Sequence, residues 1–132
     1  METDLFHVSI YIYDIQDTIK FYKRLFDAEV LYTKEMKSGN TITMFRIGSF
    51  ELEAIWVPDE GERLRICQLN NMTPNHFALS VENIDLLMDN VEILGADIED
   101  DIREIELPPG TKARVAFIHG PSGERIELYQ KC

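Results

Sequence analysis

Two histidines and two glutamates recur in this 132-residue chain in a pattern suited to holding a divalent cation. His7 opens the alternating segment His-Val-Ser-Ile-Tyr-Ile-Tyr13, and His76 opens His-Phe-Ala-Leu-Ser-Val81. Glu51 lies in Phe-Glu-Leu and Glu127 in Ile-Glu-Leu. Imidazole nitrogen and carboxylate oxygen suit Ni, Co, Zn, Fe or Mn, and a set without thiolate argues against copper(I) and iron–sulfur clusters. Four protein ligands leave room for a reactant only on a five- or six-coordinate ion; tetrahedral closure would make the site structural.

The elements that must position these residues are legible from periodicity. In the first segment Val8, Ile10 and Ile12 alternate with His7, Ser9, Tyr11 and Tyr13, the signature of a half-buried strand. Asp14 is a good N-cap, and Ile15, Ile19, Tyr22 and Phe26 recur at helical spacing, which predicts a helix over about 15–27. Strands are expected near 29–34, 41–47 and 50–57, with turns at Gly39-Asn40 and Gly48-Ser49. Positions 58–74 are polar and aperiodic, and read as a linker with at most a short irregular turn.

The order then starts again. A strand from His76 precedes Asn83, a cap for a helix whose apolar face is Ile84, Leu87, Met88, Val91 and Leu94, and Gly95 ends it. Strands follow near 97–102, 113–118 and 125–130. Seven residues separate His7 from Asp14, and seven separate His76 from Asn83. His7 to Glu51 spans 44 residues and His76 to Glu127 spans 51, the excess falling in a longer hairpin around Pro108-Pro109-Gly110. The simplest account is a duplicated βαβββ unit: one domain over 1–132, with module one at about 5–57 and module two at about 75–130.

Side-chain parity turns the repeat into chemistry. Neighbours on a strand face opposite sides of the sheet. Apolar residues flank each of the four polar ones, so helices covering the apolar face leave His7, Glu51, His76 and Glu127 on the other face, where a curved sheet would gather them in a cleft. Singly, each has an ordinary structural explanation; the matched places in both halves favour the metal. Glu53 shares the parity of Glu51 and is its rival, with Glu51 preferred because Phe-Glu-Leu mirrors Ile-Glu-Leu. His119 precedes a Gly-Pro turn and reads as a loop residue, and Glu99, Asp100 and Asp101 read as a solvated strand edge. Tyr11, Tyr13 and Tyr129 share the ligand face and could line a substrate pocket.

Composition narrows the classes. A formal charge of −11 repels phosphate backbones, which excludes nucleic acid as the expected partner. No apolar stretch approaches a membrane span, no secretory leader is visible, and two cysteines form no disulfide framework or zinc knuckle, so a cytoplasmic setting is expected.

The strings His7-x-x-Ile-x-Ile-x-Asp14, Phe21-Tyr22-x-x-Leu25-Phe26, His76-Phe-Ala-Leu-Ser-Val81 and Gly120-Pro-Ser-Gly-Glu-Arg-Ile-Glu127-Leu, in that order, resemble the vicinal oxygen chelate superfamily, which includes glyoxalase I. The resemblance implies an α+β fold of two βαβββ modules, a curved mixed sheet around a metal cleft, ligands at His7, Glu51, His76 and Glu127, and a homodimer. It implies a lyase or isomerase acting on a small oxygenated substrate, with lactoylglutathione lyase chemistry first: a carboxylate, Glu127 or else Glu51, removes a proton beside a carbonyl. Where glyoxalase I relatives hold glutathione through an Arg and an Asn, this chain has Tyr11 and Ile55, so these two and Tyr129 are the substrate-facing candidates. Methylmalonyl-CoA epimerase is a second analogue, though it carries Gln at the place of Glu51. Fosfomycin thiol transferases use three protein ligands, and extradiol dioxygenases are longer chains. The reading from another class is a metal-free module that sequesters an antibiotic between subunits, as bleomycin-resistance relatives do.

Overall fold

A computed structural model describes residues 7–70 and 76–132. Module one runs β1 (His7–Ile12), α1 (Ile15–Phe26), β2 (Glu29–Glu35), β3 (Thr41–Ile47) and β4 (Phe50–Trp56). Its sheet has the order β1-β4-β3-β2, with β1 parallel to β4 and the other neighbours antiparallel. After α2 (Glu60–Leu69), module two repeats the plan with β5 (Phe77–Ser80), α3 (Ile84–Leu94), β6 (Asp97–Leu107), β7 (Thr111–His119) and β8 (Arg125–Lys131), in the order β5-β8-β7-β6. The duplication is therefore structural.

Local chemistry explains the boundaries. The Asp14 carboxylate accepts the Asp17 amide at 2.8 Å, satisfying one of the free N–H groups that begin α1. Asn83 does the same for α3 through Leu86 N at 3.1 Å. Gly95, at φ 78°, ends α3 in the left-handed region that costs glycine nothing, whereas α1 ends on Asp27 at φ 54°.

The helix-covered faces of both sheets contribute to one core. Phe21, Tyr22, Phe45 and Leu52 from module one join Ile84, Met88, Val91 and Leu128 from module two in a single buried cluster. Burying each such side chain contributes about 1.5–3 kcal/mol relative to leaving it in water, so the two modules are bound together chiefly by this shared apolar interior. The other face of each sheet, carrying the polar alternates, lies away from it.

The linker departs from expectation. Ten of its residues form α2, and the remainder at 71–74 lies outside the described residues. No apolar period announces this helix because it buries little; Leu64 and Leu69 are exposed. Its support is polar and local. Asp59 caps it through Glu62 N at 2.8 Å. Arg63 donates to Val57 O at 2.6 Å and stacks on Tyr13 and Trp56, with 4.9 and 4.7 Å to the ring centroids. The strands of the second hairpin also run past their expected ends: β6 has 11 residues against 7 for β2.

Candidate metal centre

Strand pairing fixes which side chains can meet. Residues directly opposite one another on paired strands share a face. In module one, one open-face row reads His7, Glu51, Arg46, and the next reads Ser9, Glu53, Met44. In module two Phe77 pairs with Ile126 and Ala78 with Glu127, so one row reads Ala78, Glu127, Phe117 and the preceding one carries Arg125 and His119 beside His76. On the core side Val8 opposes Leu52 just as Phe77 opposes Ile126. Counted from the histidines, the module-one residue in the place of Glu127 is therefore Glu53, and the counterpart of Glu51 is Arg125. The likeness of Phe-Glu-Leu to Ile-Glu-Leu is offset by two residues from the register. Ser9 Oγ donates to Glu53 Oε1 at 2.9 Å, fixing that carboxylate against the edge strand.

In module two, His76 Nε2 lies 3.7 Å from Glu127 Oε1, both side chains partly exposed. That is too long for a hydrogen bond and close to the separation of about 3–3.5 Å between two donors that share one cation at about 2.1 Å. The His76 ring meets Phe117 edge-on at 5.2 Å between centroids, and Arg125 stacks over the same Phe117 at 4.0 Å; together they help bury Phe117, and Val115 and Ala113 on the same face of β7 are buried as well. Among the described residues no three His, Cys, Asp or Glu side chains converge on a common point. Each module thus carries an imidazole and a carboxylate of the expected ligand set, and Ser9 and Tyr11 of module one line one cavity with His76 and Arg125 of module two.

A polar cluster flanks His76 that periodicity did not reveal. Arg125 clasps Glu99 with Nε at 3.0 Å from both carboxylate oxygens and Nη2 at 2.7 Å from Oε2. His119 Nε2 lies 2.8 Å from Glu99 Oε1, and its Nδ1 lies 3.1 Å from Gly123 O. These hydrogen bonds, that from Arg125 foremost, hold the Glu99 carboxyl down to about 2. Arg125 Nη1 reaches within 3.4 Å of His76 Nδ1, a contact in which only the arginine can donate. Glu99 is thus an exposed residue of the edge strand β6, as expected, but one tied to Arg125 and His119, and His119 ends β7 rather than lying free in a loop. The pairing of Asp97 with His119, followed by register shifts between Ile98 and Asp100 and again before Arg103, is what turns Glu99 toward them. Irregular pairing of that kind leaves no period in a sequence.

The substrate-facing candidates also sit in rows. Tyr11 opposes Ile55 on the open face of module one, and Tyr129 lies between Ser80 and Val115 on that of module two. By register Ile55 and Tyr129 are counterparts. Tyr13 leaves the strand: its hydroxyl donates to Glu60 at 3.1 Å, on α2.

Among solved structures, the chain is similar to the fosfomycin resistance protein FosX from Listeria monocytogenes, with a TM-score of 0.78 at 19% identity over 100% of this chain and 96% of that one. FosX from Mesorhizobium loti gives 0.68 at 18% identity over 98% and 92%, and UcmS2 gives 0.75 at 18% over 98% of both. The Listeria protein is also known in complex with Mn(II) and sulfate. No curated protein matches the sequence. Likeness at such identity is likeness of fold. The family model, in contrast, matches residues 4–128 in sequence, and with the duplicated βαβββ architecture it establishes that this chain belongs to the Glyoxalase/Bleomycin resistance protein/Dioxygenase superfamily.

Proposed function

We propose that this protein is a divalent-metal-dependent lyase or isomerase that takes a small substrate bearing adjacent oxygens and moves a proton with a carboxylate base. The observation that carries the reading is the repeated placement of an imidazole and a carboxylate on the open face of each module, with His76 and Glu127 3.7 Å apart. His7, His76 and Glu127 are the proposed ligands, with a carboxylate from module one. Register favours Glu53 for that place over the Glu51 favoured by sequence likeness, and leaves Glu51 beside His7 as a second carboxylate on the same face. The donor set fits Mn, Fe, Co, Ni or Zn.

When bound, such an ion supplies Lewis-acid stabilisation of negative charge on substrate oxygen. The residues of the chain do the rest. A carboxylate, Glu51 or Glu127, accepts the substrate proton, and Tyr11, Ile55 and Tyr129 shape the pocket wall without a cation for glutathione. Because the two half-sets lie on faces turned away from a shared core, a complete set calls for module one of one copy and module two of another. A homodimer is the simplest assembly that supplies two such sites.

The test is metal analysis of the purified protein, followed by assay of each metal form. The panel should contain the hemithioacetal of methylglyoxal and glutathione, methylmalonyl-CoA and fosfomycin. Stoichiometric metal with proton exchange or turnover on any of these supports the reading. A protein that neither retains nor binds a divalent ion, yet binds an antibiotic, would replace it with the sequestering module.

A further inference from the structure

The cavity shared by the two modules is walled mainly by hydrocarbon. β1 and β5 are outer strands, each paired on one side only. Residues of both line one space of about 410 Å³, and α2 supplies a third wall. Small-molecule sites run from about 300 to 1,000 Å³, so the space can hold part of a small ligand. Its apolar lining is Val8 and Ile10 from β1, Phe77 from β5, and Ile66 and Leu69 from α2.

Burial is uneven around this space. Val8 and Phe77 stand opposite Leu52 and Ile126, which are fully buried, yet both remain partly exposed. Ile10, opposite the buried Ala54, is partly exposed as well. All three pack against the core on one side and meet the cavity on the other. On the α2 wall Leu69 is 45% exposed.

Most polar groups on the wall are already engaged. Ser9 Oγ donates to Glu53 at 2.9 Å, and Asn70 Nδ2 donates to Ser122 O at 2.8 Å. Arg125 clasps Glu99. Glu124, only 4% exposed, accepts the Tyr22 hydroxyl on Oε2 and Ser122 N on Oε1, both at 2.9 Å. A polar arm entering here would lose water and find few partners in return, whereas a hydrocarbon arm would lose nothing. One end of the space nevertheless adjoins the candidate metal centre. His76 lines it, and His76 Nε2 is 3.7 Å from Glu127 Oε1.

We propose that this cavity receives the hydrocarbon arm of the substrate whose adjacent oxygens a cation would hold beside His76 and Glu127. The inference rests on the metal-dependent reading of that site and narrows its substrate class. The substrate is a small oxygenated molecule with an apolar substituent, not a conjugate of glutathione or coenzyme A, whose arms are polar and charged.

The test is calorimetric titration of the Mn²⁺-loaded protein with 2-hydroxy acids of growing chain, from lactate to 2-hydroxyhexanoate. Their neighbouring carboxylate and hydroxyl oxygens offer the cation the same group throughout. Each methylene taken out of water should tighten binding about two- to fourfold, so the series should gain roughly tenfold or more. Affinities that stay flat along the series while still requiring Mn²⁺ overturn the inference alone. No Mn²⁺-dependent binding by any member overturns the metal reading and this inference with it. Leu69→Trp and Ile66→Phe narrow the cavity from α2 and should remove most of the gain. Their Mn²⁺ affinity, read separately, reports that each variant is folded. A gain left whole in both folded variants places the chain elsewhere and overturns the assignment.

Discussion

Glu53 stands to His7 as Glu127 stands to His76: in each module the carboxylate is opposite the residue two places after the histidine, Ser9 in one case and Ala78 in the other. Glu51, one row back, has Arg125 as its counterpart. Glu53→Gln should therefore weaken Mn²⁺ binding by at least about tenfold to a hundredfold, the range in which even indirect support of a ligand is felt. Glu51→Gln should leave affinity nearer the natural value and, if Glu51 is the base, lower kcat by about 10²–10⁴. Titration calorimetry beside a single assay separates the two; equal loss of metal in both variants would refute the division of roles.

The outward half-sets predict complementation between inactive copies. His7→Ala and His76→Ala should each bind little metal alone. Mixed under conditions that exchange subunits, they should regain one intact site per heterodimer, because the intact His7 of one copy meets the intact His76 of the other. A site built within one chain would regain none.

Arg125 and Glu99 predict an acid-labile element. The Glu99 carboxyl is held at about 2, so the sign is that of a depressed acid: its contribution is complete above the usual carboxylate range and is lost as pH falls from about 5 toward 2. Both partners are partly exposed, and salt should screen the pair. Glu99→Gln should flatten that limb of the stability curve in urea titrations, lowering stability at pH 7 to 9 and leaving it nearly unchanged near pH 2.

The same arginine is a positive charge 3.4 Å from a proposed ligand. Arg125→Gln should raise Mn²⁺ affinity severalfold, since it removes repulsion and leaves the Glu99 carboxylate unneutralised nearby. Unchanged or weaker binding would show that Arg125 serves instead to hold His76 in place.

Gly120→Ala should destabilise the fold by about 1–3 kcal/mol, the usual cost of inserting a methyl group into filled space. Here the added Cβ meets a carboxyl that is hydrogen-bonded on both oxygens. Combining it with Glu124→Ala, which empties the space, should cost less than the two single changes together.

Much of this molecule is written in local chemistry. The alternation around His7 and His76, the caps at Asp14 and Asn83, and the stop at Gly95 announce two copies of one unit, because period and capping depend only on near neighbours in sequence. They also assign each histidine and glutamate to the open face, since parity survives any pairing that keeps apolar residues inside. Which glutamate matches which depends on strand register, a relation between residues more than forty positions apart that short motifs misplace by two. Helix α2 escaped because its support is a cap and one stacked arginine rather than an apolar stripe. The Glu99–Arg125–His119 cluster and the buried Tyr22–Glu124 pair escaped for a related reason: shifted pairing and packing between modules join groups that no spacing along the chain relates. Only the tertiary structure turns both helix-covered faces into one core, because that packing joins side chains from modules more than sixty residues apart in sequence.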